Sequence, residues 1–173
     1  MDQISESRLA EVHPLLASKV RLMADILEHE GLEIRVVQGL RTIEQQDELY
    51  AMGRTKPGKI VTNCPGGKSY HNFGLAVDCV PSSQDPTKPF APDWNPEHPV
   101  WKRMIEAGQS MGLDSGATWK TFKDFPHFQF TGKFPEGEPN DELHAIFAAG
   151  GLPAVWDAVT RSTLGEQNAV AGS

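Results

Sequence analysis

Cysteine, positive charge and long apolar runs are all scarce in this 173-residue sequence. Its two cysteines, Cys64 and Cys79, are too few for a disulfide framework, although they can form a single bridge with each other. The 23 acidic residues outnumber the 16 basic ones, which gives a formal net charge of −7. This balance argues against binding nucleic acid through a basic face. The negative net charge also does not attract the protein to an anionic membrane or polymer.

The N-terminal segment "MDQISESRLAEVHP" is acidic and is interrupted by a proline. It lacks the apolar centre of a signal peptide, and we find no run of transmembrane length elsewhere in the sequence. We therefore expect a protein that is made in a cytoplasm and stays there until another factor releases it. The length and ordinary composition indicate a single domain, which we place at residues 1–162, followed by a flexible tail at 163–173.

The spacing of apolar residues and turn residues predicts an α+β fold. A helix is indicated by four residues at helical spacing before a stop at Gly31, namely Leu16, Val20, Met23 and Leu27. The segment "LEIRVVQG" alternates like a strand, and "TIEQ" is a capping box that opens a helix over 42–52. After a long loop at 53–68, "GLAVDCV" and "HFQF" are further strands. We expect helices flanking a small, mostly antiparallel sheet.

Asp78 is the residue that first points to a functional site, because it ends an apolar strand. Successive side chains of a strand face opposite sides, so Asp78 faces away from the core with the small Ala76 beside it. The segment "HFQF" repeats this arrangement, with His127 and Gln129 on the side opposite its phenylalanines. A buried carboxylate is costly unless a positive group neutralises it. Two strands can therefore each offer a ligand to one cation.

His71, Asp78 and His127 together make a set of two histidines and one carboxylate. This set suits zinc, since three protein ligands and an open fourth position for water are the catalytic arrangement. The same ligand types suit non-haem iron, but the sequence lacks features that would bind the cosubstrate of such an enzyme. A zinc ion is thus the cation that we predict beside Asp78.

Three further residues are candidates for chemistry around the ion. Asp124 lies three residues before His127, and Pro126 between them disfavours a helix there. An unbound carboxylate at that place can take a proton from water and return it to a leaving amine. Arg41 lies between a strand and a helix start, where its guanidinium can hold a substrate carboxylate or a developing oxyanion. Gln46, in the same helix, can add an amide contact.

Three segments of the sequence resemble a known family when taken in order, namely "GLRTIEQQDELYAMGRT", "SYHNFGLAVD" and "WKTFKDFPHFQF". They are similar to the D-alanyl-D-alanine carboxypeptidase-like metallopeptidases that cut peptidoglycan stem peptides. Within that family, they look like the L-alanyl-D-glutamate endopeptidases of phage endolysins and bacterial wall hydrolases. The pattern S-x-H-x-x-G-x-A-x-D is met from Ser69 to Asp78, and Pro-His-Phe at 126–128. The resemblance extends over residues 9–130.

The resemblance implies a hedgehog-like or D-Ala-D-Ala-peptidase-like fold with zinc on His71, Asp78 and His127, and with Asp124 as the general base. It also implies contacts with the substrate or the transition state from Arg41, Ser69 and Gln46. Many relatives carry Gly-Gly-Asp-Trp before the final histidine, whereas this chain has "SGATWK". Thr118 thus replaces the aspartate, and the retained Trp119 is expected to line the cleft. This departure bears on substrate preference more than on catalysis.

The function predicted from the sequence is zinc-dependent hydrolysis of a peptide bond in peptidoglycan stem peptides. L-alanyl-D-glutamate cleavage by a phage endolysin is the first hypothesis, and a D-alanyl-D-alanine carboxypeptidase or dipeptidase is the second. A hypothesis of another class is a non-catalytic zinc module that only binds a partner, because the hedgehog signalling domain resembles this fold. The expected partner is the stem peptide, with no nucleic acid and no membrane, and we expect a monomer.

Overall fold

The structure, a computed structural model, describes residues 1–82, 90–135 and 137–171, with side chains described as far as residue 164. The helices are α1 (Gln3–Leu9), α2 (Pro14–His29), α3 (Ile43–Ala51), α4 (Pro99–Ser110) and α5 (Asp141–Ala171). The strands are β1 (Ile34–Gln38), β2 (Ala76–Pro81), β3 (Asp114–Ser115) and β4 (His127–Gln129). Two short 3-10 helices span Tyr70–Phe73 and Gly116–Thr118. These elements confirm the predicted α+β fold.

The four strands form one sheet in the order β1-β2-β4-β3, and every pairing is antiparallel. β2 is an inner strand, paired with β1 on one side and with β4 on the other. Val77 and Cys79 are fully buried, as the alternation predicts, and Ala76 is fully buried as well. Asp78 alone in this strand keeps partial exposure. The strand therefore presents one accessible polar group among apolar neighbours.

The chain forms two compact units, and the sheet belongs to the first, which comprises Met1–Leu40 and Leu75–Phe130. α2 begins with Pro14 at its first turn, where the ring needs no amide partner, and His13 Nδ1 accepts a hydrogen bond from the Leu15 amide. The predicted apolar stripe of α2 is fully buried, at Leu16, Val20, Met23 and Leu27. The core of this unit is thus the one that the helical spacing indicates.

The second unit comprises Arg41–Gly74 and the chain from Thr131 onwards. α3 begins where the capping box predicts, because Thr42 accepts a hydrogen bond from the Gln45 amide and the Gln45 side chain accepts one from the Thr42 amide. The loop at 53–68 contains no helix and is tied to α3 by a 2.7 Å bond from the Gly66 amide to Asp47 Oδ1. A Cβ atom at Gly66 would lie 2.8 Å from that carboxylate, so a side chain there would displace Asp47.

α5 is interrupted at Gly151, whose backbone (φ 65°, ψ −158°) divides it into two helices, with Pro153 in the second. By length and composition alone, the stretch Asp141–Leu164 is apolar enough to cross a membrane, a run that we did not identify from the sequence. Core helices of soluble proteins pass the same test but are mostly buried, whereas 17% of the apolar window is buried here. α5 extends past residue 162, and residues 172–173 lie outside the described part of the chain. The single domain at 1–162 and the flexible tail remain predictions.

Candidate metal centre

The pairing of β2 with β4 brings two of the predicted ligands together. Asp78 is directly opposite His127 in the antiparallel register, and the Cys79 amide donates a hydrogen bond to the Pro126 carbonyl beside them. Asp78 Oδ1 lies 3.4 Å from His127 Nδ1, and the two side chains are 19% and 6% exposed. The backbone ladder of the sheet therefore fixes the spacing of these two groups.

His71 comes from the short 3-10 helix Tyr70–Phe73, which precedes β2. Ser69 caps this helix, and its hydroxyl accepts a hydrogen bond from the His71 amide. Gly74 ends the helix in the left-handed conformation with φ 65°, which favours glycine. A Cβ atom at Gly74 would also lie 2.9 Å from the indole of Trp156. The glycine of the motif is therefore required twice, once for the turn and once for packing.

Two rings and a hydrogen bond from α5 hold the helix that carries His71. The Trp156 indole donates a 2.8 Å hydrogen bond to the Phe73 carbonyl. The Phe73 ring meets the rings of Phe147 and His144 edge to face, at centroid distances of 5.2 and 5.5 Å. Such aromatic contacts add stability beyond the area that they bury. The closing helices thus support the ligand-bearing segment from within the second unit.

The three predicted ligands form one cluster, in which His71, Asp78 and His127 each offer an atom within 4.8 Å of the others. Two atoms bound to one tetrahedral zinc at about 2.0–2.1 Å are about 3.3 Å apart. The 3.4 Å between Asp78 Oδ1 and His127 Nδ1 matches that separation. Two imidazoles and a carboxylate are also donors that zinc accepts. The donor types and the Asp78–His127 separation therefore fit the ion.

Electrostatics favour a positive charge at His127. Burial lowers the pKa of this imidazole, but the hydrogen bond to Asp78 and the negative charges of Asp78 and Asp124 outweigh burial, so the pKa lies above its ordinary value of 6.5. In contrast, burial and the charge of Asp78 raise the pKa of the Cys79 thiol, which disfavours the thiolate. Neither cysteine forms a disulfide, and Cys79 lies in the hydrophobic core.

Asp124 stands in the turn before β4 and is only partly buried. Its carbonyl accepts a hydrogen bond from the His127 amide, and its own amide donates to the Gly116 carbonyl at 3.0 Å. Gly116 packs so closely that a Cβ atom there would lie 2.5 Å from the Asp124 carbonyl oxygen and 3.1 Å from the His127 Cβ. Asp124 is close enough to act electrostatically on His127 but is not part of the ligand cluster. The base assignment stays a prediction.

Arg41 and Gln46 are joined directly within the second unit. Arg41 Nη1 donates a 2.6 Å hydrogen bond to Gln46 Oε1, and Gln46 Nε2 donates a 2.7 Å bond to the Cys64 carbonyl. Gln46 is fully buried, so its amide connects the guanidinium of Arg41 to the loop at 53–68. The Arg41 amide in turn donates to the His71 carbonyl at 3.0 Å. Substrate contacts from Arg41 and Gln46 remain predictions.

Asn72, which lies between two of the motif residues, was missed from the sequence. Asn72 is 5% exposed and accepts a hydrogen bond from the Gly67 amide through Oδ1. Its Nδ2 donates to the carbonyls of Arg41 and Thr42, at 3.0 and 3.1 Å. One side chain therefore ties the helix of His71 to the loop and to the start of α3. Its place in "SYHNFG" was the available signal.

Trp119 contacts a predicted metal ligand, since its ring centroid lies 5.0 Å from that of His127 at an angle of 52°. Its indole nitrogen donates a 3.2 Å hydrogen bond to Asp114 Oδ2. Thr118, which replaces the family's aspartate, is exposed and donates a 2.8 Å bond to the Ser115 carbonyl. Thr118 thus closes a local turn, and a substrate contact from Trp119 stays a prediction.

Comparison with known proteins places these features in a family. A family model described as D-alanyl-D-alanine carboxypeptidase matches residues 62–130, which contain all three ligands. The peptidoglycan L-alanyl-D-glutamate endopeptidase CwlK of Bacillus subtilis (strain 168) is 32% identical over 123 residues, or 69% of this chain and 74% of CwlK. The L-alanyl-D-glutamate peptidase of Listeria phage A118 is 29% identical over 114 residues, which cover 65% of this chain and 36% of the phage protein.

Two solved structures share the architecture. The L-Ala D-Glu endopeptidase ChiX of Serratia marcescens superposes with a TM-score of 0.54 and 27% identity, over 75% of this chain and 87% of ChiX. The LdcB LD-carboxypeptidase superposes with a TM-score of 0.51 and 19% identity, over 68% of this chain and 58% of LdcB, and shows the fold alone. With the extent of the match to CwlK, the chain belongs to the D-alanyl-D-alanine carboxypeptidase-like peptidases, in the branch of the L-alanyl-D-glutamate endopeptidases.

Proposed function

We propose that this protein is a zinc-dependent endopeptidase that hydrolyses the L-alanyl-D-glutamate bond of peptidoglycan stem peptides. The observation that carries the proposal is the cluster of His71, Asp78 and His127, with the carboxylate of Asp124 nearby and outside it. The relatives named for this cleavage include a bacterial enzyme and a phage enzyme. The phage relative supports a role as an endolysin, which acts on the cell wall after release.

A zinc ion held by these three ligands supplies a Lewis acid and lowers the pKa of water that it binds to about 7. The chain's own part begins with Asp124, whose carboxylate takes a proton from the attacking water. The same carboxylate then carries that proton to the nitrogen of the departing D-glutamate. Asp124 can do both because it lies beside the ligands without being one of them.

Arg41 is the residue that we assign to substrate charge. Its guanidinium, held by Gln46 through a 2.6 Å hydrogen bond, binds either a carboxylate of the acidic stem peptide or the developing oxyanion. Ser69 and Trp119 are assigned to substrate contacts, and Gln46 assists Arg41. The monomeric state and the absence of nucleic-acid and membrane partners are carried forward as predictions.

Mass spectrometry of purified stem peptides after digestion tests the proposal. We expect a product with a new N-terminal D-glutamate, its loss after treatment with a chelator, and its return on addition of zinc. Release of D-alanine instead would support a D-alanyl-D-alanine carboxypeptidase or dipeptidase, the activity after which the family model is described. A protein that binds zinc and cleaves no muropeptide would be a non-catalytic binding module.

A further inference from the structure

Beside the metal ligands, a chain of polar side chains leads from His127 towards the edge of the sheet. His127 Nε2, the ring nitrogen that does not face Asp78, lies 3.0 Å from Gln129 Oε1. Gln129 Nε2 donates a 3.0 Å hydrogen bond to Asp114 Oδ2. Gln129 is 2% exposed, so its amide has little access to water. None of the catalytic steps assigned above uses Gln129 or Asp114.

The direction of these hydrogen bonds follows from the chemistry of the last member. An ionised carboxylate only accepts hydrogen bonds, so Asp114 requires the NH2 group of Gln129 to face it. The amide oxygen of Gln129 must then face His127, and an oxygen can only accept. An acceptor therefore holds the proton on His127 Nε2, and Nδ1, the nitrogen 3.4 Å from Asp78 Oδ1, is the nitrogen that can exchange its proton for a metal. Asp114 thus orients the amide that faces His127.

The backbone and a second donor hold Asp114 in place. Asp114 is directly opposite Gln129 in the β3–β4 pairing, so the sheet register sets the distance between their side chains. The indole of Trp119 donates to the same Oδ2 at 3.2 Å, and its ring packs on His127. Two neutral N–H groups therefore meet one carboxylate oxygen, which strengthens both bonds relative to bonds between neutral groups.

We propose that Asp114 and Gln129 are positioning residues, which hold His127 in the Nε2-protonated tautomer so that Nδ1 is the metal-binding atom. This inference rests on the proposed metal site. Metal-binding histidines commonly donate their second N–H group to such a partner, and loss of the partner typically lowers metal affinity roughly 10- to 100-fold. The arrangement here differs in that the carboxylate acts through an intervening amide.

The nitrogen of His127 that binds zinc can be identified directly in the zinc-loaded protein by two-bond 1H–15N correlation spectra of 15N-histidine-labelled samples. The His127→Ala spectrum identifies the signals of this residue by their loss. We expect a proton on Nε2 and the metal on Nδ1 in the wild-type protein. A metal on Nε2 would overturn the inference without any variant, and this measurement does not depend on cleavage activity.

Variants then test the role of Asp114. In Asp114→Ala the Gln129 amide can turn its NH2 group towards Nε2, so we expect the Nε2 proton of the zinc-loaded protein to exchange faster with water and zinc affinity to fall roughly 10- to 100-fold. Asp25→Ala, at an exposed aspartate on α2 of the same unit, is the matched control and should change neither. In the double variant Asp114→Asn with Gln129→Glu, the amide at position 114 donates to the carboxylate at position 129. That carboxylate accepts from His127 as the Gln129 oxygen does, so both readouts should return towards wild type.

The outcomes separate this inference from the proposed function. If the wild-type protein binds zinc and cleaves stem peptides, while Asp114→Ala keeps both the exchange rate of the Nε2 proton and the zinc affinity within twofold, the positioning role is wrong and the peptidase stands. If the wild-type protein binds zinc and cleaves no stem peptide, the proposed function fails, and the spectra of the zinc-loaded protein still decide which nitrogen binds the metal. Thermal unfolding of each metal-free variant shows whether it is folded, and Gln129→Leu provides a second route to the same loss should Asp114→Ala unfold.

Discussion

Replacing Gly116 with alanine gives a sharp test of how the turn before β4 positions the site. A Cβ atom at this position would lie 2.5 Å from the Asp124 carbonyl oxygen, whereas ordinary contacts begin at 3.4 Å. The turn that carries both the proposed base and the His127 ligand must therefore move by about 0.9 Å. A misplacement of about 1 Å can cost roughly 100-fold in rate. We expect a loss of that order in kcat for Gly116→Ala, with about 1–3 kcal/mol of lost stability from overpacking.

The assay is the initial rate of cleavage of a synthetic stem peptide at saturating zinc, with metal content and thermal unfolding measured on the same samples. Gly137→Ala is the matched control, because it makes the same substitution at an exposed glycine with nothing within 4 Å of the added Cβ. It should leave kcat unchanged. If Gly116→Ala has a kcat within twofold of Gly137→Ala, the turn does not position the reacting groups as we describe.

Three further predictions concern the site and its support. Asp124→Ala should still bind one zinc ion and lose roughly 10²–10⁴-fold in kcat. His71→Ala should lose both zinc binding and hydrolysis. Normal turnover of zinc-loaded Asp124→Ala would refute the assignment of Asp124 as the base. Zinc binding should tighten as the pH rises, because the pKa of His127 is raised above 6.5 by Asp78 and the proton must leave before the metal binds. The same raised pKa of His127 stabilises the metal-free protein below about pH 6.5, and this stabilisation is lost as the pH rises through the folded-state pKa. The increase in Tm on zinc binding should therefore grow with pH. An increase in Tm that stays constant with pH would contradict this reasoning. Gly74→Ala should lower the free energy of unfolding by about 2–4 kcal/mol, because alanine is strained in the left-handed conformation and its Cβ clashes with the Trp156 indole. An unchanged chemical denaturation curve would show that the turn tolerates a side chain.

The elements that sequence predicted well are those defined by local patterns. α2 follows from four apolar residues at helical spacing, with Pro14 at its start, and α3 follows from the capping box at Thr42. Strand alternation placed Asp78 and His127 on one side of the predicted strands, and the structure brings both together with His71. That these three residues bind a metal remains a prediction. In each case, the information lies within about ten residues of the element that it defines.

The elements that sequence missed depend on partners far away in the chain. α1 has only 7 residues, and its hydrogen bonds to β1 hold it in place, with the Val36 amide donating to Ser5 Oγ and Arg8 Nη1 donating to the Val36 carbonyl. β3 has 2 residues and exists only through its pairing with β4. Asp114 could not be connected to His127 from sequence for the same reason, because the link runs across that pairing and through the Gln129 amide.

The central claim is that His71, Asp78 and His127 share one zinc ion, and X-ray absorption at the zinc edge of the loaded protein tests it most directly. We predict one zinc per chain with nitrogen and oxygen ligands at about 2.0–2.1 Å, two of them imidazoles, and no sulfur ligand at about 2.3 Å. A sulfur ligand, fewer than two imidazoles, or no stoichiometric zinc would contradict it.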